Sequence, residues 1–149
     1  MNEKQQNETT IVTGVIGEDV HITGIRILEH ALRHEGFIVY SLGIHNSQED
    51  FIREALRAEA DAVLISSLAG HGELLLKGFK ERCHKAGLHN VLFYIGGQLV
   101  IHEEEWSVTE KNYCSLGFNR VFKPFTLPGE VIKDLILDLG LEKTAEVSA

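Results

Sequence analysis

The sequence predicts an α/β domain built on a parallel sheet of five strands, and three observations carry that prediction. Short apolar, β-branched runs bounded by glycine recur at regular intervals, amphipathic stretches alternate with them, and the connections between the two kinds of segment are short. Runs that are apolar on both faces suit strands buried between two helical layers. The first such run, TIVTGVI, begins at Thr10, and IRILEHALRHEG follows it with Ile25, Leu28 and Leu32 on one face of a helix. Gly36 sits where a helix-ending glycine belongs, directly before the second run, FIVYSLG. Ser47 with Asp50 forms an N-cap pattern for SQEDFIREALRAEA, whose Phe51, Ala55 and Leu56 are expected to face the core. AVLISSL is the third strand, NVLFYIGG the fourth and RVFKP the fifth, with Gly87 closing the helix ahead of the fourth.

Strands alternating with helices over short links imply right-handed crossovers. The architecture is therefore a three-layer, doubly wound sheet of the flavodoxin-like (Rossmann-like) type. Five strands favour the order 2-1-3-4-5 over a six-strand dinucleotide fold, and a ligand is expected beyond the carboxyl ends of the strands, between the first and third. The 149 residues suit one domain, with an ordered core from about 10 to 141 and disordered ends, roughly MNEKQQNE and KTAEVSA.

Composition removes several classes of function. A formal charge of -8 repels nucleic-acid backbones and anionic membranes. The polar start MNEKQQNETT has no apolar leader core, and no long apolar run signals a membrane span, so the chain is expected in the cytoplasm. Cys83 and Cys114 are too far apart for a paired-cysteine motif and are expected to be buried, reduced thiols.

The chemistry concentrates after the first strand, in Gly17-Glu18-Asp19-Val20-His21-Ile22-Thr23-Gly24. Neither phosphate-loop pattern is present, and two carboxylates would repel a phosphate. Instead an acid stands two residues before a histidine, with a glycine three residues after it. Asp19 can accept the hydrogen bond of one ring nitrogen of His21, which leaves the other free to bind a metal as a neutral ligand. His30 and His34 share a helix face but lack a third ligand and are read as surface residues; His71, beside Gly70, opens at the same sheet edge as the loop. The run Glu103-Glu104-Glu105 is read as a solvated helix start. Ser66 and Ser67 lack the turn of a nucleophilic serine.

This Asp-x-His-x-x-Gly loop resembles the cobalamin-binding motif of B12 enzymes, in which histidine displaces the cofactor's own dimethylbenzimidazole from cobalt. Ser66-Ser67-Leu68 and Gly96-Gly97 are similar to that family's Ser-x-Leu and Gly-Gly segments around the displaced nucleotide tail. The segments TIVTGVIGEDVHITG, SQEDFIREA, SSLAGHGE, GFKERCHKAGL, IGGQLV and LGFNRVF resemble the sigma subunits of glutamate mutase, from about Thr10 to about Leu141. The resemblance implies that adenosylcobalamin is the cofactor and His21 its axial cobalt ligand, supported by Asp19. Val20, Ile22, Gly24, Ser66, Leu68, Gly70, Gly96, Gly97, Gln98 and Pro124 are implied to contact the cofactor. It further implies a radical rearrangement interconverting glutamate and 3-methylaspartate, performed with a large epsilon subunit of TIM-barrel fold in an assembly of two small and two large chains.

Two positions depart from the pattern. Lys123-Pro124-Phe125-Thr126 stands where those subunits have a Pro-Pro-Gly-Thr-like turn, which places a bulky side chain where backbone would otherwise approach the tail. Ala69 replaces an aromatic often found after Ser-Ser-Leu. The rival readings are a corrinoid carrier or B12 sensor, the small subunit of a mutase with another substrate, and a response regulator or FMN protein of the same fold. A receiver domain wants a phosphorylatable aspartate where this chain has Ser66-Ser67-Leu68.

Overall fold

The computed structural model describes residues 5–17, 22–68, 72–100 and 102–141. Five parallel strands, β1 (Thr10–Val15), β2 (Ile38–Ser41), β3 (Ala62–Leu68), β4 (Leu92–Gln98) and β5 (Arg120–Val121), form one sheet in the order β2-β1-β3-β4-β5. The expected strand order is the observed one. The central strands β1 and β3 are almost wholly buried, which fits their largely apolar character, whereas the edge strand β2 leaves Ile38 and Tyr40 exposed.

Among the described residues the helices are α1 (Thr23–His34), α2 (Gln48–Arg57), the single turn α3 (Gly72–Leu75), α4 (Phe79–Ala86), α5 (Trp106–Ser115) and α6 (Pro128–Leu139), of which the five longer ones cover the sheet. Their start and stop signals act as the sequence predicts. Ser47 Oγ accepts the Asp50 N–H while the Asp50 carboxylate accepts the Ser47 N–H at 2.8 Å, and that second bond holds the Asp50 carboxyl below its usual range. Gly87 ends α4 in the left-handed region at φ +100°.

The two faces are covered unequally. On one, α2, α4 and α5 enclose a continuous core in which Phe79 meets Phe93 edge-on at 5.4 Å and stacks near Phe118 at 6.3 Å. On the other, α1 and α6 alone pack Leu32, Val131, Ile132 and Leu135 against Ile11, Leu64 and Tyr94. Asp138 of α6 fixes this side: it accepts hydrogen bonds from Arg120 at 2.6 and 2.8 Å and from the buried Tyr94 hydroxyl. Arg120 thereby holds the Asp138 carboxyl below its usual range, and burial raises Tyr94.

Four expectations need correction. Gln6–Glu8 form a 3-10 turn rather than a disordered end, because the Gln6 amide is buried and donates to Glu35 O at 2.9 Å. Leu56 is 45% exposed, since five residues beyond Phe51 lies well off the face that Phe51 and Ala55 bury. Cys83 is buried, with its thiol pushed up to about 12, but Cys114 is exposed; its neighbour Tyr113 takes the core-facing position on α5. The fifth strand is only two residues long, and the chain from Phe122 onward turns away toward α6. Among the described residues no helix is long and apolar enough to cross a membrane.

Candidate functional site

Because only two helices cover the second face, a cleft of about 790 Å³ opens toward the carboxyl edge of the sheet. Its floor is Leu64–Leu68 of β3 and Tyr94–Gln98 of β4. One wall is α1, through Gly24, Ile25, Ile27 and Leu28, and the other is the chain from Phe122 to Pro128 with Val131 of α6. The site was expected between β1 and β3. The cleft lies above β3 and β4, with α1, the helix that follows β1, as one wall; among the described residues no β1 residue lines it.

Seven of the expected residues, Gly24, Ser66, Leu68, Gly96, Gly97, Gln98 and Pro124, line this one cleft. Ile22 does not; it caps the start of α1, its carbonyl accepting the Arg26 N–H at 3.0 Å. Asp19, Val20, His21 and Gly70 lie outside the described residues, as do Ala69 and His71. His30 and His34 are exposed on α1.

The glycines differ in what they do. At Gly97, with φ +107°, a β-carbon would lie 2.6 Å from Ser67 O and 2.8 Å from Ser66 Oγ, so only glycine leaves room for β3 beside β4 at this point. A β-carbon at Gly24 would meet nothing within 4 Å, so the protein's own packing does not demand glycine there. Ser66 is half-buried, and its Oγ has no hydrogen-bond partner among the described residues. Such a hydroxyl is available to a ligand.

The outer wall is a braced turn. The N–H and Oγ1 of Thr126 both donate to Lys123 O, at 3.2 and 2.7 Å; Lys123 Nζ sits 5.8 Å from the centre of the Trp106 ring; and Glu130 accepts the Leu127 N–H at 3.0 Å just before Pro128 opens α6. Phe125 occupies the turn position that ordinarily takes glycine, at φ +67°, and is 92% exposed. A left-handed non-glycine residue costs about 1–2 kcal/mol.

Some contributors escaped the sequence reading. Leu64 and Tyr94 share strand faces with Ser66 and Gly96, so alternation along β3 and β4 would have found them. Asn46 gave no sequence signal beyond a loop residue, yet it is buried and its amide donates to Val15 O and Gly43 O at 3.1 and 2.9 Å. Its carbonyl accepts the Gly17 N–H at 2.7 Å, which fixes where the chain leaves β1. Ionisable groups among the described lining residues are Lys123 and Tyr94, the latter kept neutral by burial. The described part of the cleft is therefore mostly apolar, which suits a ligand with an extensive apolar surface.

Comparison with known proteins gives a consistent picture. Residues 9–118 match the B12 binding domain family. The chain is 51% identical over 134 residues to the glutamate mutase sigma subunit of Carboxydothermus hydrogenoformans, covering 90% of this chain and 98% of that one. It is 44% identical over 133 residues to the glutamate mutase sigma subunit of Clostridium cochlearium, covering 89% and 97%. A cobalamin-binding protein from Desulfitobacterium hafniense superposes with a TM-score of 0.70 at 18% identity, over 87% of this chain and 58% of that longer one, a likeness of fold.

Proposed function

This chain belongs to the family of glutamate mutase sigma subunits, and from that membership we infer that it is the cobalamin-binding small subunit of a glutamate mutase, working with a partner subunit. The observation that carries the reading to particular residues is the convergence of Gly24, Ser66, Gly96 and Gly97 on one cleft. The cofactor's nucleotide tail suits that cleft: about 790 Å³ with a largely apolar floor accommodates an aromatic base, and Ser66 Oγ, without a hydrogen-bond partner among the described residues, is open to a ligand nitrogen that needs one. When bound, adenosylcobalamin supplies the radical chemistry of its cobalt–carbon bond.

The residues of this chain bind and orient. Ser66 donates to the base nitrogen that no longer reaches cobalt, a buried heteroatom whose loss of a partner costs about 1–3 kcal/mol. Gly97 and Gly96 bring the β4 backbone close to the tail, and Leu68, Gln98 and Pro124 complete its surroundings. His21 is proposed as the axial cobalt ligand, Asp19 as the acceptor that fixes its tautomer and raises its basicity, and Val20 and Gly70 as further contacts. The partner is proposed to be a large subunit of TIM-barrel fold that holds the substrate glutamate, in an assembly of two small and two large chains.

Electron paramagnetic resonance tests the assignment of His21. The Co(II) form bound to this chain is expected to show splitting from a histidine nitrogen, which His21→Ala abolishes while the protein stays folded. Splitting that survives His21→Ala, with neither added imidazole nor a restored bond from the cofactor's own benzimidazole, would assign the ligand to another residue. Asp19→Asn is expected to weaken cobalamin binding by roughly 10- to 100-fold, and unaltered affinity refutes its role.

A further inference from the structure

Phe125 combines two unfavourable features that nothing among the described residues offsets. Its backbone lies in the left-handed region at φ +67°, and its ring is 92% exposed. The rest of the turn is braced, by Thr126 on Lys123 O and by Lys123 against Trp106, so the strain is imposed by well-anchored neighbours. Phe125 also lines the mouth of the cleft, together with Ile27, 55% exposed on the opposite wall, and Leu127, 66% exposed on its own. An aromatic ring held unburied at the rim of an apolar cleft finds its contacts when the cleft fills.

We propose that Phe125 is a specificity-determining residue that stacks on the aromatic base of the bound nucleotide tail, so that the chain selects corrinoids carrying a planar base over those without one. This rests on the cleft being the tail site. The base enters between the α1 wall and the 123–127 turn, and the ring covers the side of it that Ile27 does not. The strained turn supplies the positioning: relaxing Phe125 to φ below zero would move the ring relative to Pro124 and Thr126, which line the same wall.

Equilibrium titration of the full chain with hydroxocobalamin and with cobinamide, the same corrin lacking the nucleotide, tests the proposal. Phe125→Ala and Phe125→Gly are expected to weaken hydroxocobalamin binding by roughly tenfold, the size of one base-on-aromatic stack, and to leave cobinamide binding unchanged. Phe125→Trp restores the preference. Phe125→Gly also raises the melting temperature of the ligand-free chain by about a few degrees, because the strain is gone, whereas Phe125→Ala retains the strain. If both ligands bind every variant as they bind the wild type, the stacking role is wrong while the cofactor assignment stands. Weakened capture of the partner subunit with unchanged cobalamin affinity makes Phe125 a partner contact and overturns the proposal. Wild-type protein that fails to bind hydroxocobalamin removes the cofactor assignment itself, and this inference with it.

Discussion

The two faces of the sheet are built from the same strands and end in different outcomes. Three helices close one face over Phe79, Phe93, Tyr113 and Phe118. Two helices cover the other, and the uncovered remainder is the cleft. Side chains alternate along β3, so Ile65 belongs to the closed core while Leu64 and Ser66 floor the cleft. One strand thus contributes to the closed core through one face and to the cleft floor through the other, so substitutions on the two faces test whether stability and the proposed ligand binding can be altered separately.

The largest separation is expected from the closed face. Phe79 is 2% exposed and touches two further rings, so Phe79→Ala is expected to cost about 3–5 kcal/mol, read as a lower urea midpoint with an unchanged slope. Cobalamin affinity of the folded fraction should stay at the wild-type value. A loss of affinity as large as the loss of stability would show that the faces are coupled.

Asp138→Asn tests the brace behind the cleft and is expected to cost about 1–3 kcal/mol at neutral pH, since it weakens charged hydrogen bonds from Arg120 and the bond from Tyr94. Asp138 is held below the usual carboxylate range by Arg120, so its stabilisation is fully present above the unfolded-state value and fades as pH falls through the folded one. Urea unfolding of wild type and variant should therefore converge only in acid stronger than that which protonates an ordinary carboxylate. A gap that stays constant into acid would mean that the charge of Asp138 contributes nothing. Ser47→Ala removes one cap of α2, on the closed face, and is expected to cost about 1 kcal/mol without touching cobalamin affinity.

What was legible in the sequence divides along the same line. Strand order, the α2 cap and the glycine stops depend on local signals, and they read correctly from Ser47, Asp50, Gly36 and Gly87. Seven cleft residues were legible because a family pattern marks the strand ends that bear them. The outer wall of the cleft was not, because it depends on how α1 and the 122–128 chain stand across the sheet, which no short window of sequence encodes. Gln6 and Asn46 escaped for a related reason: each is buried by a backbone partner more than 25 residues away, as the bonds to Glu35 O and Val15 O show. Cys114 and Leu56 failed on helical phase, where a single position decides between core and solvent.

The smallest expected effect has opposite signs for the two properties. Gly24 lies in the first turn of α1, lines the cleft, and has open space where a β-carbon would go. With no positive φ to require glycine, Gly24→Ala should stabilise the ligand-free chain by up to about 1 kcal/mol, by reducing the freedom of the unfolded state and improving helix propensity. In the proposed tail site the same methyl group would occupy ligand space, so hydroxocobalamin is expected to bind more weakly. Chemical denaturation and ligand titration of one variant then give a direct answer. A more stable chain with poorer binding means that glycine is kept at this position for the ligand, at the expense of the fold; a more stable chain with unchanged binding means that the tail passes elsewhere in the cleft, away from the α1 wall.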